Sequence, residues 1–172
     1  MNLLMAFFAL GVAAAYLQER PLWHRVVLVL AGIPIAVFDG LRASLREDRA
    51  TFYRDFAVPF YGANRPGSEV SQGVLDQFWR LCMQVGLKNA YECIGAFSET
   101  DFTEDLEQID VPVLVAHGTD DQIVPYADSA PLSAALLKHG TLKTYEGFPH
   151  GMPATHPDVL NRDILEFVKR FK

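Results

Sequence analysis

The chain has 172 residues, the length of about one domain. Half of them are apolar and 21% are charged, so the chain can bury a core and is not disordered by composition. A net charge of −6 argues against a phosphate-binding surface, which needs clustered Lys and Arg, and so against a nucleic-acid partner. The two cysteines, Cys82 and Cys93, have no second pair, which excludes a disulfide framework and a CxxC metal knuckle.

The start of the chain is unlike the rest. Residues 1–38 carry only Glu19, Arg20 and Arg25 as charges. Leu3 to Leu17 is a run of 15 apolar or small residues, and Val26 to Phe38 is a second run of 13. Both fall short of the roughly 20 residues that a membrane-spanning helix needs. Three readings follow: a buried helix followed by a buried strand, a membrane hairpin, or a secretory signal ending at Ala13-Ala14-Ala15. The signal lacks the usual basic start. Val26-Val27-Leu28-Val29-Leu30 reads as a strand buried on both faces of a parallel sheet. The segment also resembles the paired membrane helices of exosortase-type transpeptidases, without their nucleophilic cysteine. That resemblance implies a membrane location and not that chemistry; a soluble chain would be cytoplasmic.

Residues 39–100 read as mostly helical. Leu41, Leu45, Phe52, Phe56 and Phe60 recur near helical spacing, with charged residues between them. Tyr61 to Gly67 is a breaker-rich loop. Ser68 is placed to cap one long helix running to about Phe97. Asp101 to Gln108 reads as a short acidic turn.

Two strand-then-helix units follow. Val111 to Ala116 reads as a buried strand ended by His117-Gly118. Ser129 to Lys138 is an Ala/Leu-rich helix, with Gly140 in the place of a left-handed cap. Thr141 to Tyr145 alternates and reads as the next strand. Pro157 opens a last helix with Leu160, Ile164, Phe167, Val168 and Phe171 on one face. This order predicts a parallel crossover. The expected fold class is α/β: a three-stranded parallel sheet (26–31, 111–116, 141–146) with covering helices and a helical cap. Its long edge would stay exposed and invite self-association. The division expected is 1–38 for the apolar segment, 39–100 for the helical region and 101–172 for the strand–helix part.

In open parallel sheets, ligands bind beyond the carboxyl ends of the strands. Both strand ends here carry ionisable residues: His117 to Pro125 after the first, and Gly147 to Met152 after the second. An Asp and a His on such neighbouring loops can share a hydrogen bond. The carboxylate then fixes the imidazole tautomer, and the imidazole serves as general base. Taken singly, an Asp pair after a strand is ordinarily a capped turn, and a His beside Pro and Gly a surface loop residue. A divalent metal held by His117, Asp120, Asp121 and His150 is a weaker alternative.

At this point residues 34–172 resemble the cofactor-free haloperoxidase and aryl-esterase branch of the α/β-hydrolase superfamily. The stretches that carry the resemblance are Val37-Phe38-Asp39-Gly40-Leu41-Arg42, Pro59-Phe60-Tyr61-Gly62, Val70-Ser71-Gln72-Gly73 and Ala96 to Phe102. The run His117 to Pro125 and the Pro149-His150-Gly151 loop complete it. The resemblance implies a partial α/β-hydrolase in which Asp121 is the triad acid and His150 the triad base, with Asp120 the fallback acid. It implies that residues 39–100 are a cap, and that Phe56, Phe60 and Val124 wall an apolar acyl pocket; ordinary core packing is their plainer role. It also implies no cofactor and no metal, a small ester or acyl substrate, and either ester hydrolysis or peracid formation from hydrogen peroxide.

One part of the pattern is missing. Chemistry of this type needs a serine in Gly-x-Ser-x-Gly and backbone donors for the oxyanion. None of the six serines (44, 68, 71, 98, 129 and 133) sits in that motif, and Glu69 stands where the first glycine belongs before Ser71. No nucleophile is assigned. The expectation is therefore a hydrolase-derived chain that carries acid and base and is inactive alone. The competing expectation is a non-enzymatic, membrane-tethered or chimeric module. The seam between the two kinds of sequence falls near Ile33 to Phe38.

Overall fold

The computed structural model describes residues 33–171. The helix expected over Leu3–Leu17 and the strand expected over 26–31 lie outside the described residues. From Ile35 onward the order is α1 (Ile35–Glu47), α2 (Arg49–Phe60), α3 (Gln72–Met83), α4 (Leu87–Ser98) and α5 (Thr103–Gln108). Then come β1 (Val113–Gly118), a 3-10 turn (Tyr126–Asp128), α6 (Ala130–Leu136), β2 (Gly140–Tyr145), α7 (Met152–Thr155) and α8 (Pro157–Lys169).

Helices α1 and α2 part at Asp48, whose extended backbone stops the first. Its carboxylate starts the second, accepting from the amides of Ala50 (2.9 Å) and Thr51 (3.1 Å). The long helix expected from Ser68 is instead two. Gln72 opens α3 with Ser71, not Ser68, at the N-cap position. The chain then turns at Gln84–Val85, whose amides bond Leu81 and Cys82 (3.2 and 3.1 Å), before extended Gly86 begins α4. The break has a packing reason: α3 lies against α2, whereas α4 lies against α1.

Between these four helices sits the main apolar core. Tyr53, Leu45 and Cys82 are fully buried there, joined by Phe38, Phe60, Phe78 and Ile94. Each such leucine, isoleucine or phenylalanine contributes about 1.5–3 kcal/mol through burial. Burial also pushes the Tyr53 hydroxyl and the Cys82 thiol up to about 12. Arg42 ties α1 to the end of α4 by pairing with Glu99 at 2.6 Å.

The acidic turn is helical as α5, with Asp101 accepting from the Thr103 amide (2.9 Å). Strands β1 and β2 pair in parallel, Val113 opposite Gly140 through Gly118 opposite Tyr145, with α6 between them in sequence. Among the described residues the sheet has these two strands. Gly140 is not the left-handed cap expected. The helix ends at Leu136, and Gly140 opens β2, where a Cβ would come within 3.0 Å of Ala134 O and Leu137 Cβ. Close approach, not positive φ, selects glycine there.

The last helix also differs from its periodicity. Leu160 is buried, but Ile164, Val168 and Phe171 are 43%, 40% and 57% exposed. The helix docks through Leu160 and Asp163 instead, Asp163 accepting from Tyr145 Oη (3.1 Å) and facing Lys143 Nζ (3.3 Å). No helix among the described residues is long and apolar enough to cross a membrane.

Candidate active site

The site is built where β1 and β2 end. The two loops that leave these strands are laced together by backbone. Thr119 N donates to Tyr145 O (2.9 Å), Asp120 N to Phe148 O (3.2 Å), and Gly147 N to Thr119 Oγ1 (2.8 Å). Gly118 permits this, because a Cβ there would collide with the Phe148 carbonyl. Gly147 supplies the left-handed turn, at φ +72°.

Lacing the loops places Asp121 against His150. Asp121 Oδ1 accepts from the amides of Ile123 (2.9 Å) and Val124 (2.8 Å), so the capped turn read from the sequence is present. The other oxygen is turned inward. Oδ2 accepts from His150 Nδ1 at 2.7 Å, and His117 Nε2, bonded to Val124 O at 2.9 Å, stands 3.1 Å from it. Both imidazoles and the carboxylate are nearly excluded from solvent. Burial alone would push the Asp121 carboxyl up. The hydrogen bonds from His117, His150 and the backbone outweigh it and hold the group well below the usual carboxylate range.

The tautomers follow from the partners. His150 Nδ1 faces a carboxylate, so it carries a proton. That leaves Nε2 as the basic nitrogen, and it is buried with no hydrogen-bond partner among the described residues. The ring is held from the helical side by Phe60, edge-on at 4.8 Å between centroids. Gly151 N donates to Phe60 O (2.7 Å), and a Cβ on Gly151 would run into the Tyr61 ring. An imidazole so oriented, with a free Nε2, can take a proton from a group brought to it.

Asp120, adjacent in sequence, is committed elsewhere. Its carboxylate takes both Nε and Nη2 of Arg65 (2.7 and 2.5 Å). Beside it Asn64 and Gln122 exchange a double amide hydrogen bond at 2.9 and 3.0 Å. The loop of residues 61–67 is thereby clasped to the loop after β1. With Asp120 held by Arg65, the four-residue metal set is not assembled; among the described residues no three His, Cys, Asp or Glu side chains converge on a metal-sized site.

The three apolar residues separate. Phe56 and Val124 line a small apolar cavity with Phe38, Phe52, Ile94 and Ile123. Phe60 is not part of that lining. It is packed in the core between His150 and Phe78. Val124 joins cavity and site, since its amide holds Asp121.

Sequence reasoning gave His117 a place only in the metal alternative, and gave none to Arg65, Asn64 or Gln122. His117 had a local signal: it stands four residues before Asp121 across a tight turn. Arg65 and Asn64 had none, being 55 and 58 residues from their partners.

Comparison with known proteins agrees with this architecture. A family model described as serine aminopeptidase, S33, matches residues 76–154. The chain is 63% identical over 139 residues to a non-heme chloroperoxidase of Streptomyces lividans, covering 80% of this chain and 50% of that protein. It is 51% identical, with the same coverage, to a bifunctional esterase/perhydrolase of Acinetobacter calcoaceticus. Among solved structures, a bromoperoxidase from Bacillus anthracis superposes with a TM-score of 0.76 at 30% identity, over 81% of this chain and 51% of that one. The chain thus spans about half the length of the curated relatives it matches. These likenesses are to hydrolase-type proteins; the resemblance of residues 1–38 to exosortase helices finds no support in them. The fold is a partial α/β-hydrolase, helical in its majority with a small parallel sheet, and the chain is similar to non-heme chloroperoxidases and esterases.

Proposed function

We propose that this chain supplies the acid and the base of a serine-esterase or perhydrolase active site, Asp121 and His150, together with one wall of its acyl pocket. The observation that carries the reading is His150: Nδ1 on Asp121 Oδ2 at 2.7 Å, and a buried Nε2 left without a partner. In such a site Nε2 takes the proton of a serine hydroxyl as it attacks an ester carbonyl, then returns it to the leaving alcohol. Asp121 stays ionised, keeps the proton on Nδ1 and stabilises the imidazolium. Water, or hydrogen peroxide in the perhydrolase direction, then attacks the acyl-serine with the same nitrogen as base. The substrate class is a small ester or acyl donor whose acyl chain meets Phe56 and Val124, while Phe60 supports the imidazole.

The serine and the oxyanion donors must come from outside the residues described. We therefore expect the purified chain to give no p-nitrophenyl ester turnover above background. Joined to the half of the Streptomyces lividans relative that it does not match, it is expected to turn the ester over. His150→Ala in that fusion should cost about 10⁴-fold or more in kcat, the scale on which triad members act as a unit. A fusion whose turnover survives His150→Ala undiminished sinks the reading. Turnover by the chain alone that vanishes on the same substitution shows that it needs no outside nucleophile.

A further inference from the structure

The acid of a Ser-His-Asp triad needs one imidazole, and Asp121 has two. His117 leaves the end of β1 with its side chain turned onto the loop, only 11% exposed. Its Nε2 lies 3.1 Å from Asp121 Oδ2 and 2.9 Å from Val124 O. Both neighbours are acceptors, so Nε2 carries a proton and donates to the pair. The Tyr126 and His117 rings pack nearly perpendicular at 5.7 Å between centroids, and Tyr126 Oη bonds Thr144 Oγ1 (2.8 Å) on β2. The ring is therefore held from both strands.

We infer that His117 is the positioning residue of this site: it locks the Asp121 carboxylate in the one rotation that serves His150 and ties it to the pocket wall at Val124. The inference rests on the reading of Asp121 and His150 as acid and base. Two amides on Oδ1 and the His150 Nδ1–H on Oδ2 meet the carboxylate, and the single His117 Nε2–H, bonded to Val124 O, stands 3.1 Å from Oδ2. A carboxylate held in this way can neither swing toward solvent nor draw the proton off His150 Nδ1. The same N–H reaches Val124 O while Val124 N reaches Oδ1. Val124 is thus held through both ends of its backbone by the acid and its second histidine, and pocket and acid move as one piece.

The test reads the Nδ1 proton of His150 by nitrogen-resolved NMR of the full chain. In the wild type a downfield, slowly exchanging Nδ1–H is expected, absent in Asp121→Asn. If the wild type shows no such proton, the acid–base reading itself fails, and this inference with it. Given that proton, His117→Phe keeps the ring but removes the donor, and should speed its exchange at least about tenfold, the scale of one charge-assisted hydrogen bond. His117→Gln, whose amide nitrogen falls near the Nε2 position, should restore the slow rate. His117→Asn, which stops at the Nδ1 position, should not. This pair decides the matter even if the Phe variant fails to fold. Exchange in His117→Phe or His117→Asn as slow as in the wild type overturns the inference while leaving the Asp121–His150 pair intact. Exchange in His117→Gln as fast as in His117→Asn overturns it equally.

Discussion

The helices from Ile35 to Ser98 and the strands, loops and last helices from Val113 to Phe171 are held by different forces. In the first region Leu45, Tyr53, Phe78 and Cys82 are removed from water, and polar bonds such as Arg42–Glu99 decorate the outside. In the second the apolar clusters are small, and Leu142, Ile164, Val168 and Phe171 are exposed. Order there comes from Asp121 between its two backbone amides and two imidazoles, the Thr119 and Asp120 backbone bonds, and Asp163 under Tyr145. The contrast separates two tasks. Burial is non-directional and gives cohesion; hydrogen bonds are directional and fix the few angles on which proton transfer depends.

The contrast is open to three further measurements, in order of expected size. Leu45→Ala should lower stability by about 2–5 kcal/mol, as cavity-forming core changes do. The loss should show as an earlier urea midpoint that is nearly the same across pH and salt. If Leu45→Ala proves as harmless as a surface change, the helical region is not held by its core.

Asp121→Asn comes next, at about 1–3 kcal/mol near neutral pH, the cost of buried donors left without their charged acceptor. Its pH dependence has a definite sign. The native carboxyl titrates below the unfolded value of about 3.9, so the native state binds this proton less readily than the unfolded one. The stabilisation is present above that unfolded value and is lost as pH falls from it toward the depressed native one. The gap between wild type and Asp121→Asn in urea should therefore narrow below about pH 4. A gap that stays constant or widens with acid removes the charge from the explanation.

Arg65→Ala should have the smallest effect. The Arg65–Asp120 clasp is bidentate but open to water, and exposed pairs contribute little. Its small loss of stability is expected to disappear in about 1 M salt, where charges are screened within about 3 Å. A loss as large as that of Asp121→Asn, and insensitive to salt, makes the clasp part of the folding core.

How far the sequence reached can be followed at particular residues. The apolar spacing of Leu41 to Phe60 placed helices, and the run before His117-Gly118 placed a strand, because such periodicity is the local trace of which face is buried. The turn at Gln84–Gly86 left no comparable trace. Val74, Phe78, Leu81, Val85 and Cys93 keep one apolar register across it, and only packing of α4 on α1 shows that the helix must break. The last helix failed in the opposite sense. Its pattern names a buried face, yet the residues that dock are Leu160 and the charged Asp163.

At the site, the family resemblance singled out Asp121 and His150; the sequence by itself determined only that an aspartate pair and a histidine stand on consecutive strand ends, with no serine in Gly-x-Ser-x-Gly. Those facts are local, fixed by residue type and spacing. Which of two adjacent aspartates faces the imidazole was decided by Arg65, which takes Asp120 from 55 residues away. That Phe60 supports the His150 ring while Phe56 and Val124 line a cavity was decided by helix packing. His117 became a partner of Asp121 because a tight turn folds the loop back over the end of β1. Contacts of this kind are made between segments, and no single segment carries their imprint.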